Sequence, residues 1–111
     1  MNHPTIPITP ELQDLLDRLF AWSYTTFGPS EDGYGCAAHL AKEAEEVKDN
    51  PSDILEWADC FMLLVDGARR SGYSFQELME AVEHKFAICQ TRKWLPPNAE
   101  GVIEHDRQHS L

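Results

Sequence analysis

Five carboxylates stand at spacings that could do chemistry. Glu43 and Glu46 lie three residues apart, Glu56 and Asp59 repeat that spacing ten residues on, and Asp66 follows Asp59 by seven. On a helix, positions three apart sit ~60° from each other around the axis, so each pair shares a face. A Glu-x-x-Glu pair alone is ordinarily a solvated face. Glu56, Asp59 and Asp66, however, interrupt an almost wholly apolar run from Ile54 to Ala68, where ionised carboxylates are costly unless paired or bound to metal. If the two segments pack as antiparallel helices, Glu43 and Glu46 face Glu56 and Asp59. Two carboxylates ~5 Å apart repel by about 3 kcal/mol at an effective dielectric near 20, so the quartet needs cations. Ligands that offer only oxygen suit a hard ion. Mg²⁺ is the expected cofactor, with Mn²⁺ as the alternative. A di-iron bundle would need Glu-x-x-His, which the chain lacks.

A complementary set lies downstream. Lys85, Cys89 and Arg92 recur at i, i+4 and i+7 on one helix face. Arg offers planar bidentate contacts to phosphate and Lys a point charge, although cations near a helix C-terminus are favoured in any case. Acids on two helices and bases on a third suggest a metal–polyphosphate site. Gly28, Gly33 and Gly35 lack the spacing and the Lys of a phosphate-binding loop. A helical metal site of this kind points to hydrolysis, with metal-activated water attacking phosphorus. His39, one turn before Glu43, is a candidate ligand contact or a surface residue. His3, His84, His105 and His109 read as surface positions. Trp22 reads as a core residue, with packing against a base as the alternative.

Composition narrows the field. The chain has 111 residues, 19 acids against 9 bases and a net charge of -10. A phosphate backbone would repel it, so nucleic-acid polymers are poor partners. No apolar run approaches the ~20 residues that span a bilayer, and Met1 to Pro10 has no signal-peptide pattern. Cys36, Cys60 and Cys89 are odd in number and form no Cys-x-x-Cys pair. They read as small core residues of a protein in the reducing cytoplasm.

The elements that must position these groups are all helical. The pattern predicts one domain over residues 1–111 with helices at 9–25, 36–48, 51–71 and 75–93 and a polar, partly disordered tail at 98–111. Thr9 and Pro10 start the first helix, and Leu12, Leu15, Leu16, Leu19 and Phe20 give it one buried face. Gly28 to Gly35 forms a loop. Ala37, Leu40, Ala44 and Val47 stripe the second helix. Asn50 is expected to cap the third, which is apolar on most faces and therefore central and buried. Gly72 stops it, and Ser74 and Glu77 make a capping box for the fourth. No strand alternation is visible. The expected fold is all-α, a bundle of four helices.

The order of these elements resembles the MazG-like family of all-α nucleotide pyrophosphohydrolases: Glu43 and Glu46, then Glu56-Trp57-Ala58-Asp59, then Lys85 and Arg92. More narrowly, the chain is similar to a small bacterial and phage branch, the dATP/dGTP diphosphohydrolases. The stretches that carry the likeness are Trp22, Thr26 to Pro29, His39 to Glu43, Pro51 to Asp59, Asp66 to Gly72, Arg92 to Trp94 and Ile103 to His105, so it covers roughly Phe20 to His105. The resemblance implies cleavage between the α- and β-phosphates of a nucleoside triphosphate. By it Glu43, Glu46, Glu56 and Asp59 hold Mg²⁺, one of them acting on water. Lys85 and Arg92 hold phosphates, and Asp66, Trp22 and His39 are further substrate contacts. It also implies a homodimer or homotetramer. The family pattern has Asn four residues after the Lys, where this chain has Cys89, which lacks the amide's donors and acceptor. Dependence on a pyrimidine or non-standard dNTP (dUTP, dCTP) and a catalytically inactive nucleotide-binding module are the alternatives.

Overall fold

The computed structural model describes residues 6–29 and 32–107. The expectations for Met1 to Thr5, Ser30 and Gln108 to Leu111, including those for His3 and His109, lie outside the described residues. Four helices run in order: α1 Pro10–Phe27, α2 Tyr34–Asp49, α3 Ile54–Arg70 and α4 Phe75–Thr91. Among the described residues no helix is long and apolar enough to cross a membrane.

The helix ends follow from local chemistry. Thr9 Oγ1 accepts from the Leu12 amide at 3.1 Å, with Pro10 at the first helical position. Gly28 at φ +80° ends α1 and Gly72 at φ +100° follows α3, a left-handed region that glycine enters at little cost. Asn50 closes α2 instead of capping α3. Asp53 takes the capping role, its Oδ1 accepting from the Leu55 amide at 2.9 Å, and α3 starts at Ile54. Ser74 and Glu77 form both bonds of a capping box on α4.

α3 is the hub. It packs along α2 through most of its length and touches α1 and α4 more locally. The upper contact with α2 is close enough to exclude side chains. A Cβ on Gly33 would stand 2.5 Å from the Gly67 carbonyl oxygen, and one on Gly67 3.0 Å from Cys36 Cβ. That approach sets the register of the two acid-bearing helices.

Burial departs from the sequence pattern. Of the expected α1 face only Leu16 is fully buried, and Leu15 is about half exposed. The core proper is Leu16, Val47 and Val65. The central helix is not enclosed, with Ile54 78 % and Leu55 70 % exposed. The three cysteines are half-buried free thiols, not core residues.

The tail from Asn98 to Asp106 is ordered by pairing. It turns at Gly101 and runs back antiparallel to the segment after α4. Leu95 N donates to Glu104 O at 2.8 Å and Asp106 N to Lys93 O at 2.7 Å, bracketing a Trp94–His105 bridge. His105 is half-buried and not the surface residue its sequence context implies; its ring stands edge-on to Trp94, centroids 6.1 Å apart.

Candidate functional site

Three of the four quartet acids converge. Across the Asn50–Asp53 turn, one carboxylate oxygen each from Glu43, Glu46 and Glu56 lies within 4.8 Å of the others. Glu43 Oε2 and Glu56 Oε2 are buried without a hydrogen-bond partner. Orphaned buried oxygens are rare in proteins and mark a missing partner. The side chains leave their mark on one another. A hydrogen bond shared with Glu43, and then Glu43's charge, push the Glu46 carboxyl up. Burial, and then the charges of Glu46, Asp53 and Asp59, push up Glu56. Carboxyls in this state are short of positive charge. Oxygen donors alone, crowded and unsatisfied, fit a hard divalent cation.

Asp59 lies outside that three-acid cluster but within its field. The Cys60 thiol is pushed up first by burial and then by Glu43, Asp59, Glu56 and Glu46 together. His39 Nε2 lies 3.0 Å from Glu43 Oε1 and orients that carboxylate from one turn away.

A cavity of about 470 Å³ opens beside the acids. Glu43, His39 and Asp59 line one end; Leu19, Met62 and Leu63 line its middle; Ser23, Cys36, Asp66 and Arg70 line the other end. Trp22 and Phe27 form an aromatic wall, edge-on at 5.3 Å. Trp22 is 53 % exposed and faces this cavity, so it is not a core tryptophan.

Asp66 lines the cavity with its oxygens already engaged. Ser23 Oγ donates to Oδ2 at 2.6 Å and Arg70 Nε at 3.1 Å; Arg69 donates to Oδ1 through Nε at 3.1 Å and Nη2 at 2.7 Å. Arg70 also reaches Gly28 O through Nη1 at 2.9 Å and Ser23 Oγ through Nη2 at 2.9 Å, tying α1 and its exit to α3. Arg69 lies over the Phe20 ring at 4.9 Å. The sequence reading gave no role to Arg70 or Ser23. The available signal was an Asp at i with Arg at i+3 and i+4 on a mostly apolar helix.

The bases of α4 are elsewhere. Lys85, Cys89 and Arg92 do not line the cavity. Lys85 and Arg92 gather with Arg107 about His105, whose imidazole is pushed down by burial and then by Arg92, Arg107 and Lys85. The Cys89 carbonyl accepts from Trp94 Nε1 at 3.1 Å.

Comparison with known proteins places this arrangement. A family described as dATP/dGTP pyrophosphohydrolase matches residues 15–110. The Eaa protein of Salmonella phage P22 is 41 % identical over 91 residues, 82 % of this chain; the chain spans 28 % of that relative's length. Among solved structures, the cyanophage S-2L MazG-like pyrophosphohydrolase, bound to dGDP and three catalytic Mn²⁺ ions per active site, is similar at TM-score 0.70 and 28 % identity, over 94 % of this chain and 98 % of that one. The match over residues 15–110 spans the acid hairpin, the cavity and the basic end of α4, and the chain belongs to the dATP/dGTP pyrophosphohydrolase family.

Proposed function

We propose that the protein is a nucleoside triphosphate pyrophosphohydrolase dependent on a divalent cation, Mg²⁺ or Mn²⁺, that converts dATP and dGTP to the monophosphate and pyrophosphate. The observation that carries this reading is the unsatisfied acid cluster at one end of a cavity walled by Trp22 and Phe27. Family membership and the dGDP and Mn²⁺ of the similar cyanophage enzyme support it. Glu43, Glu46, Glu56 and Asp59 would hold the cations. Bound there, divalent ions supply positive charge at the phosphates and a bound water of lowered pKa. The protein's own part is positional. The α2–α3 hairpin brings three of these carboxylates together with Asp59 beside them, so little rearrangement accompanies charge development at phosphorus. His39 fixes Glu43, and one acid of the quartet orients or deprotonates the attacking water. Trp22 and Phe27 pack against the base. Lys85 and Arg92, beyond the cavity, meet the outer phosphates of the chain.

The test is pyrophosphate release from a panel of dNTPs and NTPs with Mg²⁺ and with Mn²⁺. Release from dATP and dGTP is the expected result. Release only from a pyrimidine keeps the chemistry and overturns the substrate. Cys89, in place of the family's Asn, favours a second reading in which nucleotide binds without turnover; a folded protein that binds dATP and releases no pyrophosphate would establish that one.

We further infer that the working unit is a homodimer or homotetramer. The chain exposes 8655 Å², whereas a compact monomer of its mass exposes about 6,200 Å². The surplus per chain is of the size an obligate interface removes from each partner, roughly 1,000–2,500 Å². Leu55, Trp57 and Phe61 on α3 and Phe86 on α4 are the large apolar side chains left outside. Light scattering should give two or four times 12.6 kDa; a monomer at micromolar concentration overturns this part. The reducing cytoplasm suits the three free thiols.

A further inference from the structure

The cavity follows one stripe of α3. Asp59, the neighbours Met62 and Leu63, Asp66 and Arg70 succeed one another about one helical turn apart. From Asp59 to Arg70 that is ~16 Å of helix. On the proposed function, on which this inference rests, the phosphates lie at the acid end. The base then lies at the Arg70 end.

Among the described residues, the polar side chains at that end have their acceptors engaged and a donor to spare. Asp66 accepts two hydrogen bonds at Oδ1, both from Arg69, and three at Oδ2, from Ser23, Arg70 and, at 3.9 Å, the Cys36 thiol. Ser23 Oγ gives its proton to Asp66 and accepts from Arg70. The Arg70 side chain is only 6 % exposed, and it surfaces in the cavity. Of its five N–H groups, Nε goes to Asp66, the two on Nη2 to Ser23 Oγ at 2.9 Å and Ser23 O at 3.4 Å, and one on Nη1 to Gly28 O. The second Nη1 hydrogen has no acceptor among the described residues. A buried guanidinium N–H without an acceptor is costly, and a ligand atom that accepts from it gains a charge-assisted bond. Asp66 already balances the Arg70 charge, so this position suits a neutral acceptor better than a phosphate.

We propose that Arg70 donates to N7 of the purine and so sets the enzyme's preference for purines as a class. N7 is the acceptor that adenine and guanine present at the same place. Beside it they differ, with an amine donor on adenine and a carbonyl on guanine. One donor aimed at N7 therefore admits both. A pyrimidine, with one ring fewer, has no acceptor at that depth and leaves the Arg70 N–H unpaired.

The experiment uses analogues on the unaltered protein. Calorimetry with Mn²⁺ compares dADP with 7-deaza-dADP, in which C–H replaces N7. The expected result is binding weaker by about 10- to 100-fold for the deaza compound, the usual cost of removing the partner of a charged donor in a closed site. Pyrophosphate release from dATP and 7-deaza-dATP should show the same ratio. Arg70→Lys should shrink the ratio to less than about threefold while the pair with Asp66 persists. Binding of the two diphosphates within twofold overturns the assignment to N7 and leaves the proposed function standing. If neither diphosphate binds while Mn²⁺ still raises the melting temperature, the nucleotide reading fails and this inference with it. Should Arg70→Lys not fold, the analogue ratio on the parent protein still decides.

Discussion

Glu56→Gln should lower kcat/KM for dATP by about three powers of ten, roughly 4 kcal/mol of transition-state stabilisation, and should not lower the melting temperature of the metal-free protein. Both halves come from one observation. Glu56 Oε2 is buried with no partner, on a carboxyl raised by burial and by Glu46, Asp53 and Asp59. Without cations that charge is a liability, and the amide removes it. Each like-charged contact relieved removes a repulsion from the metal-free protein. With cations the same charge is an asset. In the parent, Mn²⁺ at one hundred times its Kd should stabilise the fold by about 2.7 kcal/mol, read as a rise in melting temperature. In the variant most of that rise should disappear. A variant with parental turnover, or one that is less stable without metal yet keeps the full metal-induced rise, would show that these acids are a surface cluster and not a metal site.

What the sequence discloses and what it hides divide along a physical line. Helix existence and ends were readable because they depend on residues next to one another. Thr9 with Pro10, Gly72, and Ser74 with Glu77 act within one turn, and each does its work where the spacing indicates. Asn50 misled because Asp53, three residues later, is an equally good cap and sits nearer the apolar run. The acid pairs were readable for the same local reason, since a short turn leaves antiparallel packing as the simple outcome.

Burial was not readable. Apolar periodicity says that a face avoids water without saying what covers it. Leu55, Trp57 and Phe61 satisfy the helical pattern and still stand exposed on the chain. Trp22 failed in the opposite sense. Its size suggests core, but a cavity wall also needs large apolar area. For Lys85 and Arg92 the spacing disclosed a shared face and no more. Helical phase puts them on one face without fixing which neighbour that face meets. The hairpin that gathers Arg107 and His105 about them depends on pairing between residues 93–95 and 104–106, a non-local contact with no sequence period.

Asp66 illustrates a mixed case, a carboxylate paired with two arginines of its own helix and with Ser23 forty-three residues away, and it carries the second large effect. Asp66→Asn should destabilise the protein by about 3–5 kcal/mol, the range seen when one partner of a buried ion pair is removed, which for a domain of this size is a fall of at least ~10 °C in melting temperature. The Arg70 side chain is 6 % exposed and the Asp66 side chain 10 %. An asparagine keeps the shape and can still accept one bond, but it leaves the Arg70 charge uncompensated. Arg69→Ala should cost much less, because Asp66 keeps Arg70 and Ser23 as partners and the more exposed Arg69, at 28 %, leaves room for water. The pH dependence separates a charge effect from a packing effect. Burial alone pushes the Asp66 carboxyl up; the hydrogen bonds from Ser23, Arg69 and Arg70, with the Arg70 charge, outweigh it and hold the group below the ordinary aspartate range. A folded-state pKa below the unfolded value of about 3.9 means the stabilisation is complete above that value and is lost as pH falls through the folded one. The gap in stability between parent and Asp66→Asn should therefore be constant from neutral pH down to about pH 5 and close steadily as the acid range is entered. Glu46 and Glu56, displaced in the opposite direction, are common to both proteins and cancel in the difference. A gap under about 1 kcal/mol, the size of an ordinary surface substitution or less, or one that does not change with pH, would mean that Asp66 holds α1 to α3 by shape and hydrogen bonding without its charge.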